Sequence, residues 1–63
     1  MYKNLETIRK RKKYTIYDMA QVIQKSPANY YKKEKGIVSI TIEEAIILAK
    51  FLNEDIDFLF AER

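Results

Sequence analysis

The segment KSPANYYKKEKG, at residues 25–36, decides the fold because it carries the start and stop signals of a single short helix. Ser26 is a favoured N-cap residue, and Pro27 follows at the first helical position, where its missing N–H costs nothing. Gly36 stands where a helix commonly ends on a left-handed residue. These signals predict a helix over residues 26–35. They leave open which face of that helix is buried.

A helical wheel with 3.6 residues per turn divides this helix into two faces. It places Pro27, Tyr30 and Glu34 on one side, and we expect Tyr30 to belong to the core. The opposite side is small and polar at its start and basic further on: Ala28, Asn29 and Lys32. Such a face suits a helix that enters the major groove of a duplex, where a bulky first turn would block the approach.

Helix start signals recur on both sides of this segment. Residues 15–18 and 41–44 have the spacing of capping boxes, with Asp18 in place of the usual Glu or Gln in the first. The remaining signals are Asn4 as the cap of a first helix, Asn53 as the end of the fourth and Asp55 as the cap of the last. Apolar residues follow each start signal at helical spacing. The sequence therefore predicts five short helices, an all-α fold, in one domain over residues 1–63.

The composition argues against several classes of protein. The chain has no cysteine and no histidine, which removes disulfides, thiolate metal sites and the commonest general base. It also has no glycine-rich phosphate loop and no nucleophile–base set, so we expect no enzyme, no cofactor and no metal. No apolar run approaches the roughly 18 residues of a membrane span, and no signal peptide is visible. We therefore expect a cytoplasmic protein that does not enter a membrane.

Charge is distributed unevenly along the chain. Residues 1–36 carry ten basic and three acidic side chains, a net charge of +7. Residues 37–63 carry two basic and six acidic side chains, a net charge of −4. A basic half indicates an anionic partner, with nucleic acid the first candidate, although a solvated lysine-rich surface has the same composition.

The second and third predicted helices are separated by only about two residues, Gln24 and Lys25, which favours a helix-turn-helix over an antiparallel hairpin. From about Leu5 to Phe60, the sequence resembles the phage-repressor and Cro-type helix-turn-helix domains, also called the xenobiotic-response-element family. The resemblance rests on the order and spacing of I8-R-K-R-K-K-Y-T15, D18-M-A20, S26-P-A-N-Y-Y-K-K-E-K-G36, T41-I-E-E-A45, L48-A-K-F-L-N53 and I56-D-F-L-F60. It implies a compact five-helix, lambda-repressor-like domain that binds a double-stranded DNA operator as a transcriptional regulator, typically as a homodimer. The Y-Y-K-K-E-K-G form is similar to small regulators of phages and mobile elements in Gram-positive bacteria.

The resemblance also implies roles for individual residues. Four would face base edges: Pro27, Ala28, Asn29 and Lys32. Lys32 can donate to guanine, Asn29 can pair with adenine, and Ala28 can contact a thymine methyl group. Four others would contact phosphates: Thr15, Ser26, Tyr31 and Lys35. For Tyr31, a base contact and an ordinary surface position remain equally open. Arg9 and Glu34 match a pair that forms a partly buried salt bridge between the first and third helices in relatives.

Three residues depart from the family pattern. Ile16 stands where the family usually has a glutamine that contacts phosphate. Lys13 replaces a common glycine, so the turn before the second helix is expected to differ in geometry. Lys33 replaces a common apolar residue, and we expect its stem to cover the edge of the core while its ammonium group reaches solvent or phosphate.

A second hypothesis is a protein-interaction module, such as an antirepressor or an antitoxin-like adaptor, that keeps the fold without the DNA contacts. Ile16 and Pro27 at expected contact positions motivate it. Ile47 and Phe51 either widen the core or form a dimer patch with Ile40 and Phe58. We expect no small-molecule ligand, because no separate sensor segment is visible.

Overall fold

The computed structural model describes residues 1–61, and this part of the chain contains helices and no strand. The helices are α1 (Lys3–Arg11), α2 (Ile16–Val22), α3 (Pro27–Glu34), α4 (Ile42–Leu52) and α5 (Ile56–Leu59). The predicted all-α fold with five helices is therefore confirmed. Short connections join the helices, and the one between α2 and α3 completes a helix-turn-helix.

The predicted start signals of α2, α3 and α4 are confirmed. Thr15 and Asp18 exchange hydrogen bonds of 2.9 and 3.0 Å, which complete the capping box of α2. Thr41 and Glu44 do the same for α4, with two bonds of 3.0 Å. Ser26 accepts from the Asn29 N–H at 3.1 Å and caps α3. Each bond satisfies a backbone N–H that the helix itself leaves unpaired.

The predicted ends of α3 and α4 are confirmed, whereas the predicted cap of α5 is confirmed only in its position. Gly36, after α3, has φ +79°, and Asn53, after α4, has φ +56°, so both adopt the expected left-handed conformation. Asp55 stands at the N-cap position of α5, as predicted, but its side chain makes no capping hydrogen bond. The short helix α5 therefore depends on its packing more than on local capping.

The prediction that Asn4 caps α1 is wrong, because α1 begins two residues earlier, at Lys3, with Tyr2 at the N-cap position. The Tyr2 backbone N–H donates to the Glu34 carbonyl at 3.0 Å. The Asn4 side-chain amide donates to the Phe58 carbonyl at 2.9 Å. Bonds to α3 and α5, and not a local cap, therefore fix the start of α1.

The core takes apolar side chains from all five helices. Helix α2 packs on α3, α3 on α1, and α2 on α4, while α5 contacts both α1 and α4. The buried cluster is Leu5, Ile8, Met19, Ala20, Ile23, Tyr30, Leu48, Ala49, Leu52 and Leu59. Burying one leucine contributes roughly 1.5–3 kcal/mol. Four leucines at most 1% exposed, Leu5, Leu48, Leu52 and Leu59, therefore supply a large part of the stability.

The turn before α2 keeps a left-handed backbone although it has no glycine. Lys13 has φ +67°, and Gln24, in the turn between α2 and α3, has φ +57°. For a residue with a Cβ atom, the left-handed conformation costs roughly 1–2 kcal/mol. Lys13 thus adopts a conformation that glycine takes easily, and the expected difference of this turn from the family pattern stays a prediction.

We predict that Lys13→Gly raises the free energy of unfolding by about 0.5–1 kcal/mol. Relief of the left-handed strain, roughly 1–2 kcal/mol, exceeds the added backbone entropy of glycine, roughly 0.5–1 kcal/mol. Urea unfolding followed by circular dichroism measures the change. Lys12→Gly is the matched control, because Lys12 has φ −84° and should lose stability. Equal losses in both variants would contradict the prediction.

Candidate nucleic-acid interface

A buried hydrogen-bond network fixes the orientation of α3. The Glu34 side chain is fully buried, and Arg9 donates to both of its carboxylate oxygens, at 2.9 Å from Nε and 3.2 Å from Nη2. The Tyr30 hydroxyl donates to the same carboxylate at 2.7 Å. Arg9 also donates to the Tyr14 carbonyl at 3.0 Å. A bidentate arginine pair with a third donor satisfies a carboxylate that would be costly to bury alone.

This network keeps its members in fixed protonation states. Burial opposes the charge of Arg9, but the hydrogen bond and the charge of Glu34 outweigh it and raise the pKa of Arg9. Burial, followed by the hydrogen bond to Glu34, raises the pKa of Tyr30. Tyr30 therefore remains a neutral donor, and the cation of Arg9 remains available to Glu34.

Lys33 lies on the inner side of α3, and the expectation that its ammonium reaches solvent or phosphate is wrong. Its side chain is 7% exposed, and Nζ lies 3.0 Å from the Glu44 carboxylate. Nζ also donates to the Ser39 carbonyl at 2.9 Å. Burial opposes the ionisation of Glu44, but the Thr41 N–H and then Lys33 outweigh it and lower the pKa of Glu44. Lys33 thus ties α3 to the start of α4.

The opposite side of α3 is open to solvent. Ala28 and Lys32 are exposed, as the helical wheel predicts. Pro27 is exposed as well, so its assignment to the inner face is wrong, because the buried part of α3 begins one turn later, at Tyr30. Tyr31 is 46% exposed and lies at the edge of this face. These residues form a continuous outward surface on α3.

Asn29 differs from its neighbours on the outward side of α3. It is half-buried, and its Oδ1 atom is buried without a hydrogen-bond partner among residues 1–61. Pairing with adenine needs the amide oxygen as acceptor and the amide nitrogen as donor. The Asn29 side chain must therefore rotate before it can make that contact.

Two N-cap hydroxyls are exposed, that of Thr15 at the start of α2 and that of Ser26 at the start of α3. Each accepts a backbone hydrogen bond through its oxygen, at 3.0 Å for Thr15 and 3.1 Å for Ser26. A hydroxyl group that accepts still has its own hydrogen to donate, so both can bind a phosphate oxygen. The Asp18 carboxylate already occupies the N-terminus of α2 and opposes an anion there. At Thr15, the side-chain hydroxyl is therefore better suited to bind a phosphate than the backbone N–H groups at the N-terminus of α2.

Lys35 is engaged within the protein. Its ammonium lies 3.2 Å from the Glu6 carboxylate and 5.5 Å from the centre of the Tyr31 ring. Glu6 also pairs with Lys3 at 3.6 Å and with Lys10 at 3.2 Å. Hydrogen bonds from Lys35 and Lys10 lower the pKa of Glu6 to about 2. Any phosphate that binds Lys35 therefore competes with Glu6.

Two exposed residues of α2 were not predicted as site residues. Tyr17 is 59% exposed, and the Gln21 side chain donates to its hydroxyl at 3.1 Å. Ile16, the residue before it, packs partly against the core. A tyrosine and a glutamine four residues apart form no recognisable motif. Only their shared helix face could have indicated them from the sequence.

Large apolar side chains are also exposed on α4 and α5. Ile42 is 78% exposed, and four others are 41–44% exposed: Ile46, Ile47, Phe51 and Phe58. On α4, Ile42 and Ile46 lie on one flank of the exposed side, and Ile47 and Phe51 lie on the other. Phe51 contacts only the edge of the core, through the Tyr14 ring at 4.8 Å between ring centres. Ile47 and Phe51 are therefore surface residues. Ile40, which the dimer-patch hypothesis grouped with them, packs against the core.

Within residues 1–61, no group of three or more acidic, cysteine or histidine side chains is arranged to hold a metal ion. None of the five helices is both long and apolar enough to cross a membrane.

We predict that Arg9→Met lowers the free energy of unfolding by about 3–5 kcal/mol, because it leaves the buried Glu34 carboxylate without its cation. Urea unfolding measures the loss. Arg11→Met is the matched control on the same helix, since Arg11 is exposed. The double variant Arg9→Met/Glu34→Gln should recover part of the loss, because it buries no charge. A loss below about 1 kcal/mol in Arg9→Met would contradict the assigned role of the pair.

We predict that Glu6 makes stability depend on acid pH. Its pKa is about 2 in the folded protein against an ordinary value of 4.5, so its contribution is complete above about pH 5 and is lost as the pH falls toward 2. Glu6→Gln should flatten the fall in unfolding free energy over this range. Glu43→Gln is the control, because Glu43 is exposed and forms no salt bridge within the described residues. If both variants keep the wild-type slope, the assignment to Glu6 is wrong.

Comparison with known proteins agrees with this geometry. A family model described as helix-turn-helix matches residues 5–59, which include most of α1 and all of the other four helices. No curated protein sequence and no solved structure matches the chain significantly. Because the family match covers most of the chain, the protein belongs to the Cro/repressor-type helix-turn-helix family of DNA-binding regulators.

Proposed function

We propose that this protein is a sequence-specific transcriptional regulator that reads the major groove of double-stranded DNA with residues 26–35. The observation that carries the proposal is the two-sided character of α3. Tyr30, Lys33 and Glu34 are buried on one side, while Ala28 and Lys32 are exposed on the other. A helix held this rigidly can present a fixed set of groups to base edges.

In this proposal, two sets of residues divide the work of binding. Those that face bases are Pro27, Ala28, Asn29 and Lys32. Those that contact phosphates are Thr15, Ser26, Tyr31 and Lys35. Base contacts give sequence preference, whereas phosphate contacts set the position of the protein on the duplex. Lys32 is the central base reader, because it is an exposed cation on the outward face of α3.

We further propose that the protein acts as a homodimer on a pseudo-palindromic operator. Half-sites in adjacent major grooves lie about 34 Å apart, one helical turn of DNA. The longest dimension of one copy is 24 Å, so a single copy covers only one half-site. The exposed apolar side chains of α4 and α5 offer area that a second copy could bury. The dimer forms either in solution or only on DNA.

The proposal extends to the source and setting of the regulator. The resemblance of the α3 segment to small phage and mobile-element regulators supports a repressor or Cro-like role. Such a protein acts in the bacterial cytoplasm, at the nucleoid, and needs no small-molecule ligand.

The second candidate function, a protein-interaction module, is favoured by one observation. The exposed apolar side chains of α4 and α5 would suit a protein partner. DNA titration at low and at moderate salt separates the two candidates. A DNA-binding regulator binds random duplex at low salt and loses affinity steeply as salt rises. Absence of binding to any duplex at low salt would favour the interaction module.

We predict that Lys32→Ala weakens binding to the selected operator by about 1–3 kcal/mol and has a smaller effect on random duplex, because Lys32 reads a base. The operator is first selected from a random library, and affinities are then measured by fluorescence anisotropy. Lys50→Ala is the control, because Lys50 is an exposed lysine of α4, outside the helix-turn-helix. An equal loss on operator and random duplex would remove Lys32 from the base-reading set.

A further inference from the structure

We infer that the Tyr17 hydroxyl, oriented by Gln21, donates a hydrogen bond to a phosphate of the DNA backbone. The inference rests on the proposed DNA-binding function and adds a contact on α2 to it. Tyr17 is 59% exposed in the first turn of α2. Met19 and Ala20 are buried and Ile16 is half-buried, so Tyr17 begins the outward face of this helix.

The hydrogen-bond arrangement decides which group of Tyr17 is available. The Gln21 amide nitrogen donates to the phenolic oxygen at 3.1 Å, so that bond leaves the phenolic hydrogen unused. No acceptor for this hydrogen exists among residues 1–61. Because the Tyr17 hydroxyl already accepts a hydrogen bond from Gln21, its own hydrogen can be donated to a group outside the protein. A phosphate oxygen, which only accepts, is the complementary partner.

The position of Tyr17 fits a backbone contact better than a base contact. In a helix-turn-helix, the second helix of the motif enters the major groove while the first crosses the phosphate backbone. Helix α2 is the first of the pair, and the exposed hydroxyls of Thr15 and Ser26 stand at the N-termini of α2 and α3. Tyr17 adds a third hydroxyl donor, on the outward face of α2.

The surrounding charges are compatible with an anion at this point. Lys12 and Lys13 are exposed immediately before α2. The next residue in the sequence, Asp18, is half-buried, and its carboxylate accepts from the Thr15 N–H at 2.9 Å. The hydrogen bond from Gln21 also restricts the Tyr17 ring, which reduces the entropy lost when the hydroxyl is immobilised on DNA.

The test is Tyr17→Phe, which removes the hydroxyl and keeps the ring. Affinities for the selected operator and for a random duplex of the same length are measured by fluorescence anisotropy over a salt series. We expect a loss of roughly tenfold to a hundredfold on both duplexes, since a hydrogen bond to a charged group is lost. The slope of log affinity against log salt should not change, because no cation is removed. Tyr2→Phe, a tyrosine whose ring packs on Phe60, is the matched control and should have no effect.

Two further measurements locate the contact. Single phosphates of the operator are replaced, one at a time, with uncharged methylphosphonates. At one position per half-site, the substituted operator should bind Tyr17→Phe and the wild type with equal affinity. Gln21→Met should weaken binding about twofold to threefold in the wild-type background and have no effect in the Tyr17→Phe background, because Gln21 acts through the phenol. Circular dichroism on each variant confirms that it is folded.

The outcomes separate this inference from the proposed function. If the wild-type protein binds no duplex at low salt, the proposed function fails and the contact fails with it. If the wild type binds DNA and Tyr17→Phe binds both duplexes as tightly, only the contact is overturned. A loss confined to the selected operator would also overturn it, because Tyr17 would then read bases.

Discussion

The buried carboxylate of Glu34 is the constraint on which the rest of the structure depends. A fully buried carboxylate must be paired with a cation or with hydrogen-bond donors. Here the guanidinium of Arg9 and the hydroxyl of Tyr30 donate hydrogen bonds to it, none longer than 3.2 Å. Only one rotation of α3 about its axis brings Glu34 against Arg9 of α1. That rotation also carries Ala28 and Lys32 to the solvent side. The same interaction therefore stabilises the fold and selects the face that meets a partner.

A second ion pair restrains α3 from another side. Lys33 immediately precedes Glu34 in the sequence, but its ammonium group pairs with the Glu44 carboxylate of α4 at 3.0 Å. Glu44 also closes the capping box of α4 through the Thr41 N–H. One carboxylate therefore defines where α4 begins and holds the last turn of α3. Two neighbouring residues, bonded to two different helices, leave α3 little freedom to tilt or rotate, which is the condition for precise contacts along its free face.

The sequence alone predicts an interaction in this protein when the two partners are close in sequence. The caps of Thr15, Ser26 and Thr41 bond three residues along the chain, so local spacing identifies them correctly. Asn4 and Lys33 are misread because their partners, Phe58 and Glu44, lie elsewhere in the fold. The outward face of α3 follows from helical periodicity, apart from Pro27 at its edge. For Tyr17 and Gln21, the sequence offers only a shared helix face, and the packing of α2 is what shows that they are exposed.

Only half of the basic side chains in residues 1–36 are left to attract an anionic partner. Five of the ten cations form salt bridges with buried carboxylates: Lys3, Lys10 and Lys35 with Glu6, Arg9 with Glu34, and Lys33 with Glu44. The other five have no salt bridge within residues 1–61: Arg11, Lys12, Lys13, Lys25 and Lys32. These five lie at the end of α1, in the turn before α2, in the turn between α2 and α3, and on the outward face of α3. Internal pairing thus removes positive charge from most of α1 and from the inner side of α3. The remaining field is concentrated around the helix-turn-helix, where an approaching anionic backbone would meet it first.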